Sequence, residues 1–390
     1  MKNGKKWLAG ALALVVVGLA VFFNVPTYVD GQMNTLVRPG PYAAGAAAQN
    51  LHKTLFVADM HDDALLWNRD LLTRYTRGHS DLPRELEAHM GLQVFATVTK
   101  TPKGMNYDHN SGDTDSITML VMAQRWPVAT WNSLLQRALY QAQKLQRAAA
   151  DSQGRMVFVK SREDMAAFVQ AWALDPNRMA AVLATEGLHP LEGKLENVDR
   201  LYDAGFRIAG LTHFFDNEVG GSAHGVLKGG LTELGRAMIR RMEAKGMVLD
   251  LAHASPKTFD DAIAVATRPL VVSHTGVRAT CDNLRNLSDE QLRAVAKSGG
   301  VVGIGFWDTA TCGQDAKAIA RAIRHAANVA GVDHVGLGSD FDGAIAAPFD
   351  ASGLAEVTDA LLAEGFHEDE IVAIMGGNVA RVLANVLPPS

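Results

Sequence analysis

Apolar residues along this chain fall into eight short runs separated by amphipathic stretches. The runs are Leu55–Met60, Leu92–Val98, Ala181–Thr185, Phe206–Thr212, Met247–Ala252, Leu270–Ser273, Val301–Phe306 and Val335–Ser339. Most are continuous rather than alternating, the pattern of parallel strands covered on both faces. The stretches between them predict helices, among them Thr232–Lys245, Lys257–Ala266 and Asp289–Lys297. Thr232 and Glu233 form a start signal and Gly246 a stop. Ser288 followed by Gln291 reads as a capping box. Eight strands alternating with helices predict an α/β fold, a (β/α)8 TIM-type barrel. The stretch Lys100–Gln146 is long for one connection and predicts an insertion, with a loop at Asn106–Thr114 and helices after it.

The N-terminus breaks this rhythm. Lys2, Lys5 and Lys6 precede an uncharged run from Trp7 to Val29. Its apolar centre, Trp7 to Phe23, would span roughly 25 Å as a helix, close to the hydrocarbon thickness of a bilayer. Positive charge on the N-terminal side alone keeps the first residues in the cytoplasm and sends the rest across. A cleaved signal peptide shares this layout, but Phe22-Phe23-Asn24-Val25-Pro26 is too bulky for a small-x-small cleavage site. The expected organisation is a signal-anchor transmembrane helix over residues 1–25, a Gly-, Pro- and Ala-rich linker over 26–48, and a catalytic barrel over 49–390 on the periplasmic or extracellular side.

Composition adds little. The chain has 390 residues, 48% hydrophobic and 20% charged, enough apolar material for a large core. A net charge of −5 lacks the basic surplus of a nucleic-acid partner. Cys281 and Cys312 are the only cysteines. Export would permit them to pair; two unrelated buried thiols is the alternative.

The chemistry lies at the strand ends. His61 and Asp63 follow the first strand, Glu186 the third, His213 the fourth, His253 the fifth, His274 the sixth and Asp340 the eighth. All sit at C-terminal ends, where barrel enzymes build active sites. Each alone is an ordinary hydrogen-bonding residue; seven on one rim point to a site. Imidazole and carboxylate suit a zinc-like ion. In an extended segment His61 and Asp63 share a side while Asp62 points away. His253 and His274 end neighbouring strands and can converge on a second ion. Glu186 can bridge the two, and water held between them would be the nucleophile. Asp340, outside that ligand set, is placed to move protons. Arg285, eleven residues after His274, is either a surface charge or a clamp for a substrate carboxylate. His189 and His224 read as solvated loop histidines. The run Gly220-Gly221-Ser222 lacks the Gly-Lys-Ser/Thr ending of a phosphate loop and reads as a flexible connection.

Taken together, Asp59-Met-His-Asp-Asp63, Thr185-Glu-Gly187, Leu211-Thr-His213, Asp250-Leu-Ala-His-Ala-Ser255, Val272-Ser-His274, Arg285-Asn286 and Gly338-Ser-Asp-Phe-Asp-Gly343 resemble the membrane dipeptidase (renal dipeptidase) family of zinc peptidases, over about Leu55 to Leu387. The resemblance implies two zinc ions, one on His61, Asp63 and Glu186, the other on Glu186, His253 and His274. It implies that His213 binds substrate and steadies the oxyanion, that Arg285 binds the free C-terminal carboxylate, and that Asp340 carries the proton. It also implies a Cys281–Cys312 disulfide. The expected activity is hydrolysis of dipeptides, D-residues at the C-terminal position included, by a metal-bridging hydroxide. Another two-metal hydrolase, acting on N-acyl amino acids or lactones, is the alternative, and a non-catalytic binding protein a more distant one. A homodimer is left open. Three departures stand out, the first being the long Asn106–Pro127 stretch, which has no obvious counterpart in the family. The segment Asp308-Thr-Ala-Thr311 lacks the tyrosine that animal members carry near the substrate pocket. The chain also ends Pro388-Pro389-Ser390 without a hydrophobic tail, which puts the expected anchor at the N-terminus.

Overall fold

Eight parallel strands close into a barrel in the computed structural model, which describes residues 2–390 apart from the side chains of 2–4 and 9. Met1, and the side chain of Lys2 that the topology reading used, lie outside the described residues. The strands are β1 (Val57–Asp62), β2 (Met90–Phe95), β3 (Met179–Thr185), β4 (Phe206–Gly210), β5 (Val248–Asp250), β6 (Val271–Thr275), β7 (Val301–Ile304) and β8 (Val335–Leu337). Each pairs with the next in sequence, and β8 pairs with β1 to close the ring. These are the eight apolar runs of the sequence. Alternate residues feed two cores: Ala58, Met60, Leu92, Val94 and Val182 enter one, while Val57, Ala181 and Leu183 enter the other. A strand buried on both faces is apolar for most of its length, which is why these runs do not alternate.

The helix signals act as expected. Thr232 accepts a hydrogen bond from Gly235 N at the head of Glu233–Ala244, and Gly246 ends that helix with φ +72°. Ser288 and Gln291 form a reciprocal capping box ahead of Asp289–Lys297. The insertion after β2 carries two helices, Ile117–Ala123 and Leu134–Asp151. Its loop is tied down, because Asn110 donates to His224 O from both its backbone (2.7 Å) and its side chain (3.0 Å).

The N-terminal helix, α1, runs from Lys2 to Met33, past the end of the apolar segment. Its stretch Lys5–Met33 is long and apolar enough to cross a membrane, by length and composition. Residues beyond it are packed rather than slack. Thr35–Leu36 pairs in parallel with Ala346–Ala347, and Tyr42 packs edge-on against Phe349. A Gly-, Pro- and Ala-rich composition such as that of 26–48 suits a loose linker or a close-packed one equally well.

Candidate active site

Every histidine and carboxylate placed on the rim by the sequence meets at one point above the barrel. Glu186 occupies the centre. Its Oε1 lies 3.1 Å from His253 Nε2, 3.4 Å from His274 Nε2 and 3.4 Å from His61 Nε2, and its Oε2 lies 3.2 Å from His213 Nε2. Asp63 Oδ1 and Asp340 Oδ1 approach His61 Nε2 to 3.6 and 4.0 Å. Three overlapping groups of potential ligands result: His61, Glu186 and His274; Glu186, His213 and His253; His61, Asp63 and Asp340. Asp62 points away, accepting from Ala64 N at 2.6 Å, as the extended geometry required.

Local backbone conformation aims two of these groups. His253 and Asp340 both have φ near +61°, a left-handed conformation that side chains other than glycine rarely adopt and that is concentrated at functional sites. The turn after β8 is pinned from beneath: Ser339 donates from N (2.7 Å) and Oγ (2.6 Å) to the two oxygens of Asp59. A Cβ on Gly343 would sit 2.1 Å from Asp340 Oδ1, so a side chain there would collide with the carboxylate. Asp250 plays a matching role for His274. It accepts from Ser273 N and Oγ, and Ser273 Oγ lies 2.9 Å from His274 Nδ1, which orients the ring.

Burial sets the protonation states. His213, His253 and His274 are all pushed well below the usual histidine range by burial, reinforced by neighbouring positive charge, and so stay neutral with a lone pair to offer. Burial also works to lower His61, but the carboxylates of Glu186 and Asp63 outweigh it and raise His61 well above its ordinary value. Glu186 is raised to about 7, by burial first and Asp63 second. Burial raises Asp340 well above the carboxylate range, with Asp63 and Glu186 adding to it.

This donor set fits metal ions. His253 Nε2 and His274 Nε2 face each other at 3.0 Å. His61 Nε2, Asp63 Oδ1 and Glu186 Oε2 are buried with no hydrogen-bond partner among the described residues. Buried polar atoms are rarely left without partners, and divalent cations would satisfy these at once. Nitrogen and carboxylate oxygen are the donors zinc takes.

Arg285 is buried in the same cavity and not a surface charge. It donates from Nη2 to His274 O at 2.7 Å and lies 5.5 Å from the Trp307 ring. Its loop is stapled by a Cys281–Cys312 disulfide, Cα–Cα 5.2 Å, and Asn286 Nδ2 donates to Cys281 O.

Several residues escaped the sequence reading. Tyr107, from the insertion, packs edge-on against Phe214 and His224 and lines the cavity together with Trp307 and Arg285, so a tyrosine reaches the pocket although Asp308–Thr311 has none. His189 and His224 are buried, not solvated: His189 packs on Phe215 and His224 stacks on Phe214. The run at Gly220 is not a slack connection. Gly221 N donates to Thr258 Oγ1, Ser222 N to Asp216 Oδ1, and Ser222 Oγ to His213 O, which holds His213 in place. Some partners are far away in sequence and others, such as Asp216 for Ser222 and Phe214 for His224, are six to ten residues off, but no local signal marks these roles.

A barrel with neutral imidazoles and carboxylates gathered at its C-terminal mouth defines a metallohydrolase of the (β/α)8 class. The family model described as membrane dipeptidase (peptidase family M19) matches residues 45–387, and the chain belongs to that family. It is 35% identical over 221 residues to dipeptidase aclJ of Aspergillus oryzae, a match covering 54% of this chain and about half (52%) of that protein. Similarity to dipeptidase tcpJ of Claviceps purpurea is 29% over 327 residues, 80% of this chain and 71% of the relative. A crystal structure of a metallopeptidase from Rhodobacter sphaeroides, bound to a phosphinate mimic of the dipeptide L-Ala-D-Ala, shares the fold with a TM-score of 0.69 at 24% identity, covering 85% of this chain and 99% of that one.

Proposed function

We propose that this protein is a binuclear zinc dipeptidase acting on dipeptides with a free C-terminal carboxylate. The observation that carries the reading is the position of Glu186. One of its oxygens lies within 3.4 Å of three imidazole nitrogens while Arg285 is buried in the same cavity. In this reading His61, Asp63 and Glu186 hold one ion, and Glu186, His253 and His274 the other. Two zinc ions in such a site supply an acidified water and polarise the scissile carbonyl.

The chain's own residues do the rest. Arg285 takes the substrate carboxylate with its planar fork and fixes the distance from that carboxylate to the scissile bond. That distance excludes longer peptides. His213, neutral and buried, donates a hydrogen bond to the oxygen that becomes negative in the tetrahedral intermediate. Asp340 accepts the proton of the attacking water and passes it to the leaving amine. Residues 1–25 act as a signal anchor, 26–48 connect, and 49–390 form the catalytic domain on the non-cytoplasmic side. Lysines confined to the N-terminal flank support that orientation.

The test is hydrolysis of L-L and L-D dipeptides, with tripeptide controls, by full-length protein in detergent, with zinc and with a chelator. Zinc-dependent release of amino acids from dipeptides alone is expected. No release from protein holding two ions per chain would sink the reading.

A further inference from the structure

The cavity above the metal ligands is closed on one side by a segment the chemistry does not use. Its volume is about 480 Å³, within the range of roughly 300–1,000 Å³ that encloses small-molecule ligands. Glu186, His213, Arg285 and Asp340 lie on its polar side. Phe22, Val25, Val29 and Met33 of α1 line it too, together with Ile117 and Leu120 of the insertion helix Ile117–Ala123. The wall these two helices make is apolar.

The α1 segment is fixed there. Asp30 is buried between Arg69 (3.1 Å) and Arg77 (3.0 Å), Asn34 donates to Asp30 and accepts from Ala344 N, and Arg125 lies 4.2 Å from the Phe23 ring. Val29 and Leu120 pack on a cluster that includes Leu66, Trp67 and Val98. The helix that also carries the exposed apolar residues Trp7, Leu8, Leu12, Leu14 and Val21 therefore doubles as part of the pocket.

Barrel order sets which end of a substrate meets this wall. Arg285 lies in the loop after β6. The insertion follows β2, four strands away around a ring of eight, which is the far side. A dipeptide whose carboxylate sits on Arg285 extends its other residue towards α1. We propose, resting on the dipeptidase reading, that α1 and the insertion helix form the subsite for the substrate's N-terminal side chain, and that this subsite selects large apolar side chains.

The test is calorimetric titration of metal-stripped, full-length protein in lipid nanodiscs with X-Ala dipeptides. X runs from alanine through norvaline and norleucine to 2-aminooctanoic acid. Without metal there is no turnover, so binding is read alone. Affinity is expected to rise by up to about fourfold per methylene, with a heat-capacity change that grows more negative. Val29→Asp and Leu120→Asp should each flatten the series, and Val29→Leu should keep it. An affinity that does not rise with chain length, or a rise that survives both aspartates, overturns the subsite. Zinc-loaded turnover of Ala-Ala in the same preparation tests the dipeptidase reading separately. If that turnover is absent while the chain-length gradient persists, the reading falls and the apolar subsite stands.

Discussion

Asp30, near the end of the N-terminal helix, pairs with Arg69 on the barrel rim at 3.1 Å, and both side chains are shut off from solvent. Arg69 in turn pairs with Asp342, two residues beyond Asp340. The helix is thus tied by charge to the turn that carries the proposed proton carrier. Removing one member of a buried pair leaves the other uncompensated, at a cost of about 3–5 kcal/mol. Arg69 keeps Asp342 as a partner, so Asp30→Ala should cost less than that, about 1–3 kcal/mol, in denaturant unfolding. A loss below about 1 kcal/mol would show the pair to behave as an exposed one.

Metal retention should separate ligands from the residues that orient them. His253→Ala is expected to lose one of two zinc ions and nearly all turnover. Asp250→Asn, which disturbs the Asp250–Ser273–His274 chain, should weaken metal affinity by about 10- to 100-fold while retaining ligands. Elemental analysis after dialysis against graded chelator checks both. A His253→Ala protein that is folded, holds two ions and turns over would refute the ligand assignment.

Arg285→Ala should act on binding. Losing a charge-assisted hydrogen bond costs about 1.5–3 kcal/mol, which is roughly a 10- to 100-fold rise in KM. Arg285→Lys should recover only part of this, since an ammonium lacks the bidentate fork. Amidated dipeptides should be affected less than free ones. Equal losses on both would remove the clamp role.

The Cys281–Cys312 bridge closes a sequence separation of 31 residues. Loop-closure entropy alone gives such a bridge about 3–4 kcal/mol. It also holds the loop of Asn283, Arg285 and Asn286 against Thr309 and Ala310. Reduction, or a Cys281→Ser/Cys312→Ser double variant, should lower the unfolding midpoint and raise KM more than it lowers kcat. An unchanged KM would detach the bridge from the Arg285 loop.

His52 gives a pH signature away from the site. Its ring lies 2.8 Å from Thr358 Oγ1 and 3.0 Å from Ala88 O, and burial lowers its pKa to about 4. Between the ordinary value of about 6.5 and 4, the unfolded chain takes up a proton that the folded chain refuses. Stability should therefore fall as pH drops through that window, by up to about 1.4 kcal/mol per unit. At pH above 6.5 the group contributes no slope. His52→Asn should remove this component, read as the difference between the two stability-pH curves. Parallel curves from pH 7 to 4 would count against it.

The barrel and the strand-end places of the candidate ligands were legible in the sequence because both depend on local patterns. A strand buried on both faces is mostly apolar, so the runs Leu55–Met60 and Val335–Ser339 stand out, and His61 and Asp340 are the residues that directly follow them. The helix caps at Thr232 and Ser288 are equally local. The tertiary structure decided what depends on distant partners. Tyr107 joins Trp307 and Arg285 in lining the cavity only because the insertion folds back over the mouth. His224 is buried by Phe214 and the Asn110 loop. The place of α1 in the cavity wall had the same origin. Phe22, Val25 and Val29 read as apolar helix whether lipid or a substrate pocket faces them, and only packing against the rim distinguishes the two.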